Sequence, residues 1–288
     1  MHGEERGCCD NGILSAIGMR CARERYRALW IFAPSIIAFI IAIWVARVPI
    51  ENTWEDVAYT IVSSAERAYQ YGSRHFDAVA HTDLYDIDRA EYFYGEVMKL
   101  DPAHKYVRHQ RARIAFLEGQ FPAALALINA QIELFGTTTP SSHYVRGLVL
   151  GFMERYKEAA SSFETYLEHY PNNWAAVNDY AWVLLKDGRS EDALAILEQL
   201  LNKKQENAWL LNSAAITAYE VGDLQKAREY IQRAHVLVQG VTRDMWLIAY
   251  PGNDPRVAEE GIAALRTSVE DNMHAIDEQK EINELQLL

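Results

Sequence analysis

Cysteine is nearly absent from this 288-residue chain, which excludes a fold held together by disulfides. The three copies, Cys8, Cys9 and Cys21, all lie in the first 21 residues. A zinc site would need more ligands, at tighter spacing, than these thiols and His2 supply. Lipidation of the adjacent pair is an alternative, but no lipobox or myristoylation pattern surrounds it. We interpret the thiols as reduced groups on a cytoplasmic tail, residues 1–27.

The sequence motifs of common catalytic sites are absent as well. The chain has no glycine-rich phosphate loop and no Gly-x-Ser-x-Gly, His-Glu-x-x-His or Cys-x-x-Cys sequence. His75 and His81 are six residues apart, which places them on different faces of a helix and makes them a poor metal pair. We therefore predict no catalytic site, cofactor, metal or small-molecule substrate, and we do not expect an enzyme.

Basic residues are in the minority, 28 against 40 acidic ones, so the formal net charge is −12. The first 47 residues hold six basic and four acidic side chains, a net of +2, which leaves −14 for the rest. An acidic body repels the phosphate backbone of nucleic acids and anionic lipid headgroups. The charge balance therefore argues against nucleic acid as a partner.

One long uncharged run contrasts with this acidic composition, the 19 residues from Ala28 to Ala46. A helix needs about 20 apolar residues to cross the hydrocarbon core, and Trp30 and Trp44 lie near the two ends, where indole rings favour the headgroup region. We predict a single-pass transmembrane helix over residues 28–48. A cleaved signal peptide is the alternative, but Trp44-Val-Ala46 is a poor cleavage sequence.

The charges that flank this run predict its orientation. Four arginines, at positions 20, 23, 25 and 27, precede it, whereas Arg47 follows it and is succeeded by Glu51, Glu55 and Asp56. Cytoplasmic flanks of membrane spans are enriched in Lys and Arg. The N-terminus is therefore expected in the cytoplasm, and everything after the anchor on the outer side.

The rest of the chain contains an internal repeat with a period of 34 or 35 residues. Each unit has a small residue early in its second helix and a larger apolar residue four positions later, so that both lie on one helix face. A small residue also recurs twelve positions earlier, where close approach of two helices would need it. The period indicates a solenoid of helix pairs. The three recurring sets are Ala124, Ala159, Ala193 and Ala227; Ile128, Phe163, Leu197 and Ile231; and Ala112, Gly147, Ala181 and Ala215.

These units resemble the tetratricopeptide repeat. Gly119, Gly188 and Gly222 fall in the turns between helices, and Pro102 and Pro171 follow second helices as in that family. The hallmark Trp and Leu positions of the family are replaced in all four units. The resemblance implies an all-α, right-handed solenoid with a concave groove, and it implies no reaction.

The resemblance also divides the chain into units. The predicted unit 105–139 is preceded by a linker helix and a divergent first unit, in which Ala90 precedes Ala124 by 34 residues. The acidic stretch Asp83–Asp88 is read as a helix N-terminus rather than a calcium loop, because it lacks the Gly and final Glu of such a loop. Tyr250-Pro-Gly-Asn-Asp-Pro255 should break the helix before a last, capping helix. The full division is residues 1–27, 28–48, 52–104, 105–139, 140–173, 174–207, 208–240 and 241–288.

The groove of this family is lined by certain positions of each first helix, and the resemblance carries them over to this sequence. Asn178 and Asn212 recur at one offset and would form a ladder that hydrogen-bonds a peptide backbone. The alternative for Trp182 and Trp209 is packing between helices. The two-Lys, two-Asn clamp of chaperone-binding repeats is not matched. The predicted partner-groove residues are Tyr106, His109, Arg113, Phe116, Tyr144, Asn178, Trp182, Lys186, Trp209, Asn212 and Tyr219.

The sequence therefore predicts a membrane-anchored scaffold or adaptor that binds a protein or peptide and helps to assemble a membrane or envelope complex. It looks like bacterial inner-membrane proteins of this architecture, with the repeats outside the cytoplasm. A periplasmic chaperone-like holder and a regulatory subunit of a membrane enzyme are the alternatives. The tail beyond Asp277 is expected to be solvated, or else to pair with a partner helix.

The repeat register is testable with Ala193→Trp. The bulky ring should force two helices apart and lower the free energy of unfolding by about 1–3 kcal/mol or more. Thermal and urea unfolding would measure this loss, and an unchanged melting temperature would contradict the register.

Overall fold

The chain divides into two compact units, Met1–Ile61 and Val62–Leu288. Regular structure in the described part of the chain is entirely helical. Its source is a computed structural model that describes residues 34, 36–42, 47, 50–76, 82–203 and 206–278.

The predicted anchor belongs to the first unit and lies largely outside the described residues. Among the residues that are described, no helix is both long and apolar enough to cross a membrane. Residues 50–61 are helical. The anchor remains a prediction from the sequence, as does the state of the cysteines, which also lie outside the described residues.

The second unit contains the repeats. Its described residues form twelve α-helices and two short 3-10 helices, Gly136–Thr138 and Pro255–Val257. The α-helices are α1 (Ala65–Phe76), α2 (Ile87–Leu100), α3 (Val107–Leu117), α4 (Phe121–Phe135), α5 (Ser141–Phe152), α6 (Tyr156–His169), α7 (Trp174–Lys186), α8 (Ser190–Leu201), α9 (Ala208–Glu220), α10 (Leu224–Val238), α11 (Arg243–Ala249) and α12 (Ala258–Glu278).

The helices pack as five consecutive pairs, from α1 with α2 to α9 with α10. First helices of neighbouring pairs also contact each other directly: α3 with α5, α5 with α7, and α7 with α9. Second helices chiefly contact the first helices on either side of them. The first helices therefore line one shared inner face, as the resemblance implied.

The recurring small residues of the second helices are fully buried within the array. Ala124, Ala159, Ala193 and Ala227 are all 0% exposed, and so is Ala90 of the first pair. The larger residues four positions later are likewise buried. This confirms the packing role predicted for the repeated alanines, including the divergent first unit.

Gly147 shows why small residues are needed on the first helices too. A Cβ atom at Gly147 would lie 2.8 Å from Cε2 of Phe163. Phe163 is the larger apolar residue of the same unit and is fully buried. The Phe163 ring thus occupies the space that a side chain at position 147 would need.

The linker helix predicted at the start of residues 52–104 is interrupted, which corrects the sequence interpretation. Residues 62–64 form a bend and coil before α1 begins at Ala65. Ser64 accounts for the break, since its Oγ accepts a hydrogen bond from the backbone N–H of Arg67 at 3.2 Å, as an N-cap does. Asp86 caps α2 in the same way, accepting from the Arg89 N–H at 3.0 Å. The acidic stretch thus provides a helix N-terminus, as predicted.

The last helices cover the open end of the array. α12 packs against α10, α9 and α11, and its buried face carries Ile262, Val269 and Ile276 at intervals of seven. Solenoids require such a cover because their terminal repeat has no neighbour to bury its apolar face. Residues 279–288 lie outside the described part of the chain, so both alternatives for the tail stay open.

Turn geometry repeats along the array, with one exception in residue type. Gly119, Gly188 and Gly222 have φ of +72°, +76° and +84°, which glycine adopts readily. The equivalent residue between α5 and α6 is Glu154, with φ of +59°. A residue with a Cβ atom is strained in this left-handed conformation.

We predict that Glu154→Gly stabilises the protein. Relief of the strained turn should outweigh the extra backbone entropy of glycine and raise the free energy of unfolding by about 0.5–1 kcal/mol. Urea unfolding provides the measurement, with Glu154→Ala as the control that removes the same charge but keeps a Cβ atom. Equal effects of the two substitutions would mean that charge, not backbone strain, is responsible.

Candidate functional site

The inner face of the array contains a cavity of about 290 Å³. Residues from four first helices, α3, α5, α7 and α9, form one part of its wall, and the end of α11 with the residues after it forms the rest. Its lining is mostly apolar and rich in aromatic rings. The lining residues are Arg113, Phe116, Leu117, Tyr144, Val145, Leu148, Phe152, Trp174, Ala175, Asn178, Asp179, Trp209, Ala249, Tyr250, Pro251 and Asn253.

The aromatic side chains of the wall are held by contacts with one another. Phe116 and Phe152 meet edge to face at 5.1 Å between ring centroids, and Trp174 and Trp209 are 5.6 Å apart. The Trp209 indole Nε1 donates to the Tyr250 hydroxyl at 2.8 Å. These contacts fix the rings before any ligand arrives, which reduces the entropy cost of binding.

Of the lining residues that the structure describes, Asp179 is the one carboxylate. The Tyr144 hydroxyl donates to its Oδ2 at 2.6 Å. Burial raises the pKa of Asp179 to about 6, and hydrogen bonds from Tyr144 and Asn178 limit the rise. Among the described residues, no cation contributes to this shift in pKa. The cavity therefore contains a carboxylate that is partly shielded from water and is not neutralised by an ion pair.

The segment after α11, Tyr250–Asp254, returns to the beginning of the array; we call it the closing segment. Tyr85 donates from its hydroxyl to the Gly252 carbonyl at 2.9 Å, and Arg113 donates from Nη2 to the Pro251 carbonyl at 2.7 Å. The chain separates these partners by 167 and 138 residues. The closing segment thus joins the end of the array to α3 and to Tyr85, two residues before the start of α2.

Gly252 permits this close contact. Its φ is +92°, and a Cβ atom there would lie 2.7 Å from Nη2 of Arg113 and 2.9 Å from Cζ of Phe76. Arg113 itself lies over the Phe76 ring at 4.6 Å and donates from Nη1 to Gln110 Oε1 at 2.9 Å. Glycine is needed at this position on both conformational and steric grounds.

Residues 153–213 of the chain match the family described as "Tetratricopeptide repeat". The chain contains tetratricopeptide repeats. The match covers the second helix of one pair, the whole next pair and the start of another.

One known protein described as repeat-containing is similar in sequence to part of the chain. The TPR repeat-containing protein YpiA of Bacillus subtilis is 26% identical over 112 residues, which are 39% of this chain and 26% of that protein. The chain thus matches about a quarter of that relative's length.

Two solved structures superpose on most of the chain. YrrB, "a TPR protein with an unusual peptide-binding site", is 15% identical with a TM-score of 0.51, covering 72% of this chain and 97% of its own. PilW, a "type IV pilus biogenesis factor", is 18% identical with a TM-score of 0.54, covering 74% and 97%. At this identity the likeness concerns the fold alone.

Five of the predicted groove residues line the cavity: Arg113, Phe116, Tyr144, Asn178 and Trp209. They come from four successive first helices that the tetratricopeptide register had placed on one face. The structure thus brings together residues that are up to 96 positions apart in the sequence.

The other six predicted residues, Tyr106, His109, Trp182, Lys186, Asn212 and Tyr219, lie outside the cavity lining. His109 contacts the Ser142 hydroxyl at 3.2 Å, and burial, aided by Arg113, lowers its pKa to about 3. Trp182 is buried beside Phe152 and Tyr156, as the packing alternative described. His109 and Trp182 therefore take part in packing between helices.

The predicted asparagine ladder is wrong. Asn178 and Asn212 are only 8% and 3% exposed. The Asn178 Oδ1 accepts from the Ser213 hydroxyl at 2.8 Å, and the Asn212 Oδ1 accepts from the Asn272 amide at 2.9 Å. Each side-chain oxygen thus accepts a hydrogen bond from another helix of the array, that of Asn178 from α9 and that of Asn212 from α12.

Sequence reasoning missed three important parts of the cavity wall: Trp174, Asp179 and the closing segment. Trp174 is the first residue of α7, one turn before Asn178, so the helical period contained a usable signal. Asp179 gave no such signal, because the sequence does not distinguish an aspartate beside an asparagine from an ordinary solvated residue. The helix break at Tyr250–Pro255 was correctly predicted, but its return to the inner face depends on tertiary contacts.

The raised pKa of Asp179 predicts a pH dependence of stability. An aspartate has a pKa of about 3.9 when unfolded, and Asp179 has about 6 when folded. The folded state therefore binds the proton more tightly, and the stability this provides below pH 4 is lost as the pH rises through 6. Asp179→Asn should not show this loss. Its free energy of unfolding should therefore rise by about 1–3 kcal/mol relative to that of the parent protein as the pH is raised from 4 to 8.

Urea unfolding at several pH values provides the measurement. Asp187→Asn is the matched control, since Asp187 ends the same helix outside the cavity. A constant difference between Asp179→Asn and the parent protein across this range would contradict the assignment.

Proposed function

We propose that this protein is a membrane-anchored scaffold or adaptor that binds a segment of a partner protein at the inner face of its repeats. The observation that carries the proposal is the aromatic cavity between the first helices. Its lining combines fixed rings with a small number of polar groups, as sites for ligands and interface anchors do. The tetratricopeptide fold implies a protein or peptide partner, and the cavity provides the specific place for it.

The descriptions of the solved structures support this class of function. YrrB is described as having a peptide-binding site, and PilW as a pilus biogenesis factor. These descriptions concern those proteins. They support peptide binding and participation in an envelope complex as proposals for this chain.

Membrane attachment is the second element of the proposal. The predicted helix of residues 28–48 would anchor the protein in a bacterial inner membrane, with the arginine-rich N-terminus in the cytoplasm and the repeats outside. Tethering would confine the cavity near other membrane components. The effective concentration of a membrane partner would rise without any new contact.

A regulatory subunit of a membrane enzyme is a second candidate, favoured by the helical residues 50–61. Ile50, Trp54, Val57 and Ile61 recur every three or four residues, and Trp54 and Ile61 are 68% and 75% exposed. Apolar residues at this spacing form one face of a helix. Such a face, next to the predicted anchor, could pair with a helix of a membrane protein independently of the cavity.

Site-specific photocrosslinking in cells distinguishes the two candidates. A benzoylphenylalanine at Phe152, in the cavity wall, should capture one membrane-complex protein. The same residue at Leu134, exposed on α4 and outside the cavity lining, is the control and should not. Protease treatment of intact spheroplasts should degrade the repeats if they lie outside the cytoplasm.

Replacement of residues 28–61 by an unrelated anchor completes the test. A crosslink from position 152 that survives the replacement supports the scaffold. Loss of that crosslink, in a chain whose repeats still fold, favours the regulatory subunit. Equal capture from positions 134 and 152 would contradict binding at the cavity, and protected repeats would contradict the orientation.

A further inference from the structure

The geometry points to a basic side chain as the group that the cavity binds. We propose that a lysine or arginine of the partner polypeptide enters between the aromatic rings and pairs with the Asp179 carboxylate. This inference rests on the proposed function, since it specifies which part of a bound segment the cavity recognises.

The first argument is the carboxylate. Asp179 lines the cavity and is partly buried. Its described partners, Tyr144 and Asn178, are both neutral. An ionised carboxylate can accept about four hydrogen bonds, and a shielded charge without a counter-ion is costly. A cation from a ligand would supply both the missing hydrogen bonds and the missing charge.

The second argument is the aromatic wall. Trp174, Trp209 and Tyr250 line the same cavity as Asp179, together with Phe116 and Phe152. Ammonium and guanidinium groups are attracted to the faces of aromatic rings, most strongly to tryptophan. The methylene stem of a lysine or arginine is itself apolar and packs against such rings. The wall therefore suits both parts of a basic side chain.

The other charged and titratable groups of the lining do not remove the demand for a cation. Arg113 is the one basic residue in the part of the lining that the structure describes, and its guanidinium donates to Gln110 and Pro251 and lies over Phe76. Burial raises the pKa of Tyr250 to about 12 and that of Tyr144 well above 10, so both are neutral at pH 7. The lining therefore has one carboxylate available to a ligand.

The third argument is size. The volume of about 290 Å³ lies at the lower end of the range for small-molecule pockets, roughly 300–1,000 Å³. A helix of a partner would not fit into this space, whereas one long side chain would. The closing segment supplies part of the wall, so the site differs from an open groove along the array.

The test uses the full-length chain in detergent with 5-fluorotryptophan at its tryptophans. Fluorine NMR follows Trp174 and Trp209, assigned with Trp174→Phe and Trp209→Phe. The probes are N-acetyl-lysine methylamide and N-acetyl-norleucine methylamide, which share a linear side chain and differ chiefly in the ammonium group. We expect the lysine probe to shift both signals and to bind about tenfold or more tightly than the norleucine probe.

Variants separate the charge from the shape of the cavity. Asp179→Asn should remove the preference for lysine, whereas Asp187→Asn at the end of the same helix should keep it. Trp174→Leu keeps Asp179 but removes one aromatic ring. It should weaken binding of the lysine probe more than binding of the norleucine probe. This second variant reports on the cavity even if Asp179→Asn alters the local structure.

Equal affinity for the two probes would overturn the inference, and so would an undiminished lysine preference in Asp179→Asn. The absence of any signal change up to about 50 mM probe would overturn it as well, because this concentration is well above typical weak Kd values. Failure of the proposed function would look different, because it is read from the crosslinking at Phe152. If the crosslinked segment of a captured partner has no lysine or arginine, the inference of a bound basic side chain is overturned, whereas the proposed scaffold function is not.

Discussion

Close approach of two helices at small residues is the constraint on which the rest of this structure depends. Each fully buried alanine of the register, such as Ala159 or Ala193, allows a second helix to lie against its first helix. Gly147 and Phe163 show how little space separates the two helices, since a single carbon atom added at Gly147 would clash with the Phe163 ring. This packing sets the spacing of the pairs, and the spacing brings four first helices to one inner face.

The closing segment adds a long-range constraint that repeat packing does not provide. Helix pairs of a solenoid contact only their neighbours, so the two ends are normally independent. Here Tyr85 and Arg113 bond to the Gly252 and Pro251 carbonyls, across 167 and 138 residues of chain. The same segment provides Tyr250 to the cavity wall. The site therefore depends on both local repeat geometry and one distant connection.

The sequence predicted the parts of this structure that are periodic. The alanine register gave the helix pairs, and the family positions gave Arg113, Phe116, Tyr144, Asn178 and Trp209 of the cavity. It failed where a residue's role depends on what a distant segment places beside it. Asn212 looked like a groove residue but bonds to Asn272 of α12, and Asp179 looked solvated. A 34-residue period predicts neither how deeply a side chain is buried nor which residue it hydrogen-bonds to.

The closing segment also determines when the cavity can exist. During synthesis the five helix pairs leave the ribosome before Tyr250, so a nascent chain has the first helices of the site but not the remainder of its wall. A ligand that needs the complete cavity cannot be held until the last helices have docked. Binding would thus be restricted to fully assembled copies, and incomplete chains would be excluded from competition for a partner.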